Sequence, residues 1–245
     1  MNALAATAHG VYEIDVETDE VLGLDSDATL RPRSADRAGD LMVVLLDGRP
    51  PLRISRDGGA TWEDRVVAKV PVGENCIADG CKPDFYIGQT SVASDAPGHL
   101  VFAYEGPTTD LGPQRVYVTT SSDAGRTWSA GTPLSVAGED ATGPRLTAQG
   151  GTVRLWYMQT AGGDDPDAWN VWYRSSPDGG RSWSAPVRIS DAPAGAAGYV
   201  GPRGFAEIYG DYGEIDVTST GKTIATWGEG FSYTGPGGTW FNIQR

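Results

Sequence analysis

Two repeated patterns predict an all-β protein: an eight-residue pattern, S-x-D-x-G-x-[ST]-W, that occurs three times, and a glycine turn before an apolar strand that occurs four times. We call each copy of the eight-residue pattern a box. Apolar residues alternate on both sides of each box, which is typical of a hairpin. Within the hairpin, Asp accepts hydrogen bonds from turn N–H groups, Gly supplies a permissive φ and Trp packs beneath the turn. The residues that define the boxes are Ser55, Asp57, Gly59 and Trp62; Ser121, Asp123, Gly125 and Trp128; and Ser176, Asp178, Gly180 and Trp183.

The glycine turns contain Gly39, Gly98, Gly151 and Gly221, each followed by an apolar strand such as LVFAY or VRLWY. A unit therefore consists of strand, glycine turn, strand, variable loop, strand, box and strand, which is the four-stranded antiparallel sheet of a β-propeller blade. A pattern that recurs in a fixed form indicates a repeat protein. We predict a single propeller domain over 1–245, with about four blades at 28–70, 86–137, 142–190 and 209–245, and with 9–18 as a candidate strand to close the ring.

Composition supports this fold and narrows the range of partners. A chain of 245 residues with 39% hydrophobic residues, 34 Gly and 16 Pro suits a turn-rich all-β domain with a substantial core. The net charge is −13, so a polyanionic nucleic acid would be repelled. No apolar run approaches the roughly 18 residues of a membrane span, and no cofactor fingerprint occurs. We therefore predict no nucleic acid, no membrane span and no cofactor.

The two cysteines, Cys76 and Cys81, lie five residues apart in a loop that contains Gly and Asp. Two thiols without a neighbouring His are too few for a zinc site, so a disulfide and two free thiols both stay open. A disulfide would agree with secretion. The acidic loop Gly162–Asn170 offers oxygen atoms to Ca²⁺ but lacks the fixed ligand spacing of a calcium loop, so we predict no metal site.

The three boxes resemble the Asp box, also called the bacterial neuraminidase repeat, of sialidase-like β-propellers. The resemblance implies a secreted or extracellular protein, a carbohydrate partner and a ring of six blades. Box spacings of 66 and 55 residues leave no room for two further blades, so we expect either a small ring or part of a longer chain. An extracellular protein is the alternative partner.

The candidate site is predicted on the face opposite the boxes. That face is built from the variable loops and the connections between blades, where binding groups concentrate, and Glu105 is among its polar residues. Arg33 and Arg145 lie six residues before a turn glycine, in the position that Val92 and Ile215 occupy in other blades. Arginines that converge from different blades suit bidentate binding of a carboxylate. The alternative is that both arginines pair with nearby Asp and Glu residues.

The segment Leu30–Trp62 resembles the Arg-Ile-Pro strand, the following turn and the first box of a sialidase. The resemblance implies that Arg31 or Arg33 binds the substrate carboxylate and that Arg49 is the turn arginine. It also implies an acid that protonates the leaving group, a role for which Asp47 is the available residue.

The remaining candidates come from the later part of the chain. Arg203 repeats the Gly-Pro-Arg motif of Arg145 and is a third candidate for binding the carboxylate. The resemblance implies a Tyr nucleophile activated by a Glu, because an anionic sugar discourages a carboxylate nucleophile. Glu207 and Tyr209 are the best local candidates for that pair. Trp169 is a candidate for stacking on a sugar ring.

Three functions stay open at this point. The first, which we favour, is a non-catalytic secreted propeller that binds a glycan or a protein through its loop face. The second is a sialidase-like glycoside hydrolase that uses the arginines and the Tyr/Glu pair. The third is a structural module or a fragment of a larger extracellular protein. A fold by itself does not choose among them.

Overall fold

The computed structural model describes residues 2–7, 10–15, 20–25, 32–38, 41–46, 52–71, 89–109, 112–160, 169–191, 213–230 and 237–244. Every regular element in these ranges is a β-strand, and the strands form five antiparallel sheets.

We number the sheets I to V in chain order. Sheet I contains β1 (Asn2–Thr7), β2 (Gly10–Asp15) and β3 (Glu20–Asp25). Sheet II contains β4 (Pro32–Ala38), β5 (Leu41–Leu46), β6 (Leu52–Ser55) and β7 (Glu63–Arg65). Sheet III contains β8 (Thr90–Ala96), β9 (His99–Pro107), β10 (Gln114–Ser121) and β11 (Thr132–Pro133). Sheet IV contains β12 (Ala141–Gln149), β13 (Thr152–Thr160), β14 (Trp169–Ser176) and β15 (Val187–Arg188). Sheet V contains β16 (Glu214–Val217), β17 (Thr223–Gly230) and β18 (Gly237–Ile243).

The sheets are arranged in series about their first strands. Each first strand contacts the first strand of the next sheet: β1 contacts β4, β4 contacts β8, β8 contacts β12 and β12 contacts β16. Within each sheet the strands pair in chain order. The three sheets that contain a box have four antiparallel strands, as the repeat predicted.

Sheet I corrects one part of the prediction. The segment 9–18 was a candidate strand to close the ring against the C-terminal sheet. In the structure, β2 pairs with both β1 and β3. Because both hydrogen-bonding edges of β2 are used, it cannot supply an edge to sheet V. Strands β1, β2 and β3 instead form a sheet of their own, which the repeat pattern missed because this segment contains no box.

Each box is held by hydrogen bonds within its own eight residues. In the first box, the Ser55 hydroxyl accepts a hydrogen bond from the Gly59 N–H at 2.8 Å, and the Asp57 carboxylate accepts from the Thr61 N–H at 2.9 Å and from its hydroxyl at 2.6 Å. The other two boxes repeat these contacts. In the third box, hydrogen bonds, first among them that from the Ser182 hydroxyl, lower the pKa of Asp178 to about 2. The turn is therefore specified locally.

The boxes and the glycine turns lie at the same end of their sheets. The Ala124 N–H donates to the Gly98 carbonyl at 2.8 Å, and the Gly179 N–H donates to the Gly151 carbonyl at 2.9 Å. Each pair joins a box to the glycine turn of the same sheet. The variable loops and the sheet connections therefore begin at the opposite end.

The fourth position of the box requires a left-handed backbone. Gly58 and Gly179 occupy it with φ of 69° and 71°, but the second box has Ala124 there, with φ of 60°. A left-handed conformation costs a residue with a Cβ about 1–2 kcal/mol. The flexibility of glycine in the unfolded chain offsets about 0.4–1 kcal/mol of that cost.

We therefore expect Ala124→Gly to raise the free energy of unfolding by roughly 1 kcal/mol. Urea denaturation monitored by tryptophan fluorescence would measure it. The matched control is Gly58→Ala, which should lower the free energy of unfolding by a similar amount. A lower free energy of unfolding for Ala124→Gly than for the wild-type protein would contradict this expectation.

Three hydrophobic clusters fill the spaces between sheets II and III, III and IV, and IV and V. The IV–V cluster contains the largest buried side chains, Trp156, Trp169 and Trp227, which are at most 2% exposed. Trp169 is a correction to the sequence analysis. An indole that is 1% exposed offers no face to a sugar, so Trp169 serves as a core residue here.

Candidate functional site

Five residues meet near the common axis of the sheets, at the end opposite the boxes. Gln89 precedes β8, Glu105 lies near the end of β9, Thr142 and Arg145 lie near the start of β12, and Gly213 precedes β16. We call this group the axial site. It brings together sheets III, IV and V, because their first strands are neighbours.

Arg145 is the centre of the axial site. Its Nε donates to the Gly213 carbonyl at 2.9 Å, and its Nη1 donates to Gln89 Oε1 at 3.2 Å and to the Pro144 carbonyl at 3.0 Å. The guanidinium carbon lies 5.9 Å from the centroid of the Trp156 ring, within the range of a cation–π interaction. These oxygen acceptors orient the guanidinium.

The backbone at the start of sheet V packs against the Trp156 ring, which lies beside Arg145. The Trp156 indole N–H donates to the Glu214 carbonyl at 2.9 Å. A Cβ added at Gly213 would lie 2.4 Å from Trp156 Cζ2. Glycine is required at this position because the indole approaches the backbone so closely.

Glu105 lies beside Arg145 and is 2% exposed. Its Oε2 accepts hydrogen bonds from the Thr142 hydroxyl at 2.7 Å and from the Gly143 N–H at 3.2 Å, which tie sheet III to sheet IV. Burial raises the pKa of Glu105 to about 7, although the hydrogen bonds and the charge of Arg145 act in the opposite direction. The carboxyl is therefore poised to change charge near neutral pH.

Sequence analysis placed Glu105 on the loop face but did not single it out. Strand alternation could have done so, because Val101, Ala103 and Glu105 lie on one side of β9. Val101 and Ala103 belong to the buried cluster between sheets III and IV. An acidic residue that continues a buried apolar stripe is a signal for a special environment.

The glycine-turn register does not make Arg145 equivalent to Val92 and Ile215. Val92 pairs with Phe102 and belongs to the cluster toward the preceding sheet, and Ile215 likewise packs toward its preceding sheet. Arg145 pairs with Trp156, whose ring lies in the cluster toward the following sheet. The register shift in β8 lies between Val92 and its turn glycine and changes the face of Val92, whereas the shift in β12 lies before Arg145 and does not affect the count from Gly151.

Most of the other predicted site residues stay predictions. Arg33 lies on β4, of which the backbone is described. Arg31, Asp47, Arg49, Arg203, Glu207 and Tyr209 lie outside the described residues, as do Cys76 and Cys81. The convergence of Arg33 with Arg145, the catalytic assignments and the disulfide are therefore still expectations.

Two searches cover the part of the chain that the structure describes. Within it, no group of three or more His, Cys, Asp or Glu side chains is arranged to hold a metal ion. No helix in the same ranges is long and apolar enough to cross a membrane.

No protein-family profile matches the chain, and no curated protein matches it. Among solved structures, it is similar to the GH93 α-L-arabinofuranosidase of Fusarium graminearum in complex with arabinobiose, with 15% identity and a TM-score of 0.50 over 86% of this chain and 62% of that one. It is also similar to a protein of unknown function from Dyadobacter fermentans, with 12% identity and a TM-score of 0.50 over 89% of this chain and 64% of that one. A microbial sialidase matches with 13% identity and a TM-score of 0.48 over 84% of this chain and 43% of that one.

The fold is a β-propeller. This confirms the predicted fold class, and sheets I to V, one more than the about four blades predicted, are its blades. The chain spans 62% of the arabinofuranosidase and 64% of the Dyadobacter protein. At these identities the similarity shows the fold alone, so an activity has to be argued from the residues of the propeller itself.

Proposed function

We propose that this propeller binds an acidic carbohydrate at the axial site and that Arg145 contacts the carboxylate of the ligand. The observation that carries the proposal is the orientation of the Arg145 guanidinium by oxygen atoms from three successive blades. A guanidinium held in this way has lost part of its conformational freedom before the ligand arrives, which favours binding. A charge-assisted hydrogen bond from Arg to a carboxylate is stronger than a neutral one.

Other residues would extend the site in this proposal. Arg31, Arg33, Arg49 and Arg203 are the further candidates for contacting the anionic group, as the resemblance to sialidases implies. The arabinofuranosidase with a similar fold holds arabinobiose, which agrees with a carbohydrate partner. A protein partner is the alternative ligand.

Glycoside hydrolysis is a second candidate function. Glu105 favours it, because a carboxyl whose pKa is about 7 suits a general acid at neutral pH. Glu105 is 2% exposed, so this role requires access to its carboxyl. Asp47, Glu207 and Tyr209 are the other catalytic candidates of a sialidase-like mechanism.

An extracellular location is part of the proposal. A glycan-binding role is expected outside the cytoplasm, where a disulfide between Cys76 and Cys81 would persist. Mass analysis after alkylation without reduction would detect the disulfide, and two alkylated thiols in secreted protein would contradict it.

The test compares an acidic glycan with its neutral counterpart. We expect calorimetry to show binding of 3′-sialyllactose and at least about tenfold weaker binding of lactose. Arg145→Ala should remove this preference, and Arg145→Lys should restore part of it, because Lys keeps the charge but lacks the planar fork. Arg126→Ala is the matched control, because Arg126 is exposed on the opposite, box-bearing face.

Two outcomes would contradict the proposal. Equal affinity for sialyllactose and lactose would exclude recognition of the acidic group, and absence of binding to either would exclude this class of ligand. The same protein should be incubated with a fluorogenic sialoside and an aryl arabinofuranoside. Turnover that is lost in Glu105→Gln with the fold intact would favour the hydrolase.

A further inference from the structure

A cavity lies on the face that carries the boxes, between blades III and IV. Its volume is about 300 Å³. It is lined by four residues of the second box with the flanking Thr120 and Ser129, by Gly179 and Arg181 of the third box, and by His99, which follows the glycine turn. We call it the box pocket. It is separate from the axial site, because it opens at the opposite end of the blades.

The neighbouring interface between blades II and III shows why the box pocket is open. There, Arg56 of the first box donates through Nε to the Ala124 carbonyl at 2.7 Å and through Nη1 to Glu63 at 2.8 Å. In the second box and the residue that follows it, the positions of Arg56 and Glu63 are taken by Ser122 and Ser129. Two short hydroxyl side chains thus replace an Arg–Glu ion pair, and the space of the ion pair becomes a cavity.

The contact that Arg56 makes between blades is retained without an arginine. The Gly179 carbonyl, which corresponds to the Ala124 carbonyl, accepts a hydrogen bond from His99 Nε2 at 3.1 Å. His99 Nδ1 faces Asp95 Oδ1 at 2.8 Å. Since both ring nitrogens face acceptors, His99 joins the blades from one side and leaves the box pocket unfilled.

The lining of the box pocket is rich in hydrogen-bonding groups. Besides Ser122 and Ser129 it contains the hydroxyl groups of Thr120, Ser121 and Thr127, and Arg181 supplies a permanent positive charge. None of the described residues that line the pocket is acidic, although the net charge of the chain is −13. The hydroxyl groups of Ser121 and Thr127 donate to the Asp123 carboxylate behind the lining, so Arg181 is the group of the lining that attracts an anion.

Trp128 is the aromatic residue of the lining, and its ring also packs against the cluster between blades II and III. Its ring packs edge-on against Phe102, with the centroids 6.1 Å apart. Among the described residues, the buried Trp128 Nε1 has no hydrogen-bond partner, whereas Nε1 of the corresponding Trp183 donates to the Gly180 carbonyl at 3.1 Å. An indole beside hydroxyl groups is typical of a carbohydrate subsite.

We propose that the box pocket binds a sugar acid the size of one monosaccharide, such as a hexuronate. Arg181 binds the carboxylate, Trp128 contacts the sugar ring, and the serine and threonine side chains exchange hydrogen bonds with the sugar hydroxyl groups. The volume of about 300 Å³ lies at the small end of ligand sites, which suits one ring. This site is independent of the axial site.

The test refills the cavity with the ion pair of the neighbouring interface. We expect calorimetry to show binding of sodium glucuronate by the wild-type protein. In the Arg145→Ala background, which removes the axial site as a second place for an acidic sugar, the double variant Ser122→Arg/Ser129→Glu should abolish this binding. It should keep a cooperative unfolding transition, because the introduced arginine and glutamate can pair as Arg56 and Glu63 do. Arg181→Ala, a change at an exposed side chain, should weaken binding by about tenfold or more.

Two comparisons identify the ligand and the location. Glucose and sodium sulfate should each bind at least about tenfold more weakly than glucuronate; equal binding of glucose would overturn recognition of the acid, and equal binding of sulfate would overturn recognition of the sugar. Glucuronate binding should remain in Arg145→Ala, because that variant removes only the axial site. Binding that is lost in Arg145→Ala and retained in the double variant that keeps Arg145 would place glucuronate at the axial site and overturn the box pocket. Absence of glucuronate binding would also overturn it.

Discussion

Replacing Glu105 by Gln is expected to make the protein about 3 kcal/mol more stable at pH 8 while leaving its stability near pH 4 unchanged. Burial raises the pKa of Glu105 from 4.5 to about 7 in the folded protein. The folded state therefore prefers the protonated carboxyl. The wild-type protein should have its full stability below about pH 4.5 and lose about 3 kcal/mol as the pH rises to 7 and beyond. Gln has nearly the same shape and stays neutral throughout.

Urea denaturation of both proteins at several pH values between 4 and 8 would measure this difference. The slope of stability against pH should be smaller in Glu105→Gln than in the wild type between pH 4.5 and 7. Glu63→Gln is the control, because Glu63 is exposed and its interaction with Arg56 lowers its pKa. Parallel profiles for the wild type and Glu105→Gln would show that Glu105 does not titrate in this range.

The second large effect is expected for Gly125→Ala, which should lower the free energy of unfolding by about 3 kcal/mol or more. Two costs add at this position. The φ of Gly125 is 77°, which an alanine adopts at a cost of about 1–2 kcal/mol. A Cβ at this position would also lie 2.3 Å from Ile54 Cδ1, in the cluster between blades II and III, and overpacking a core costs about 1–3 kcal/mol.

Gly138→Ala separates the two costs. Gly138 has a similar φ of 84°, but an added Cβ would meet nothing within 4 Å. We expect this variant to lose about 1 kcal/mol, from the backbone alone. Thermal or urea unfolding of the two variants, measured side by side, gives the overpacking cost by difference. Similar losses in both would mean that Ile54 moves aside and that the interface yields at this point.

The parts of the fold that sequence predicted are those with local causes. Each box closes through hydrogen bonds between residues at most four apart, such as those from Gly59 and Thr61 to Ser55 and Asp57. A short pattern therefore specifies the turn wherever it occurs. Alternating apolar residues around the boxes were enough to predict four-stranded antiparallel sheets in blades II, III and IV. Sheet I has no box, so the same argument could not find it.

The candidate site could be predicted in part. Sequence analysis identified Arg145 and the face on which it lies, because the Gly-Pro-Arg motif and the strand order are visible in the chain. It did not identify the partners of Arg145, because Gln89 and Gly213 are 56 and 68 residues away in sequence. Counting from the turn glycine also failed, because the register shift in β8 changes the face of Val92 without changing its number.

The sequence by itself determined the box turns, the repeated sheets and the acidic charge of this protein, because these depend on composition and on residues close together in the chain. Only the tertiary structure decided which side chains acquired unusual properties. Glu105 has a raised pKa because a neighbouring blade buries it, and Trp169 became a core residue because blade V covers it. The box pocket exists because two serines replace an ion pair between blades, a difference that acquires meaning only when the blades are packed side by side.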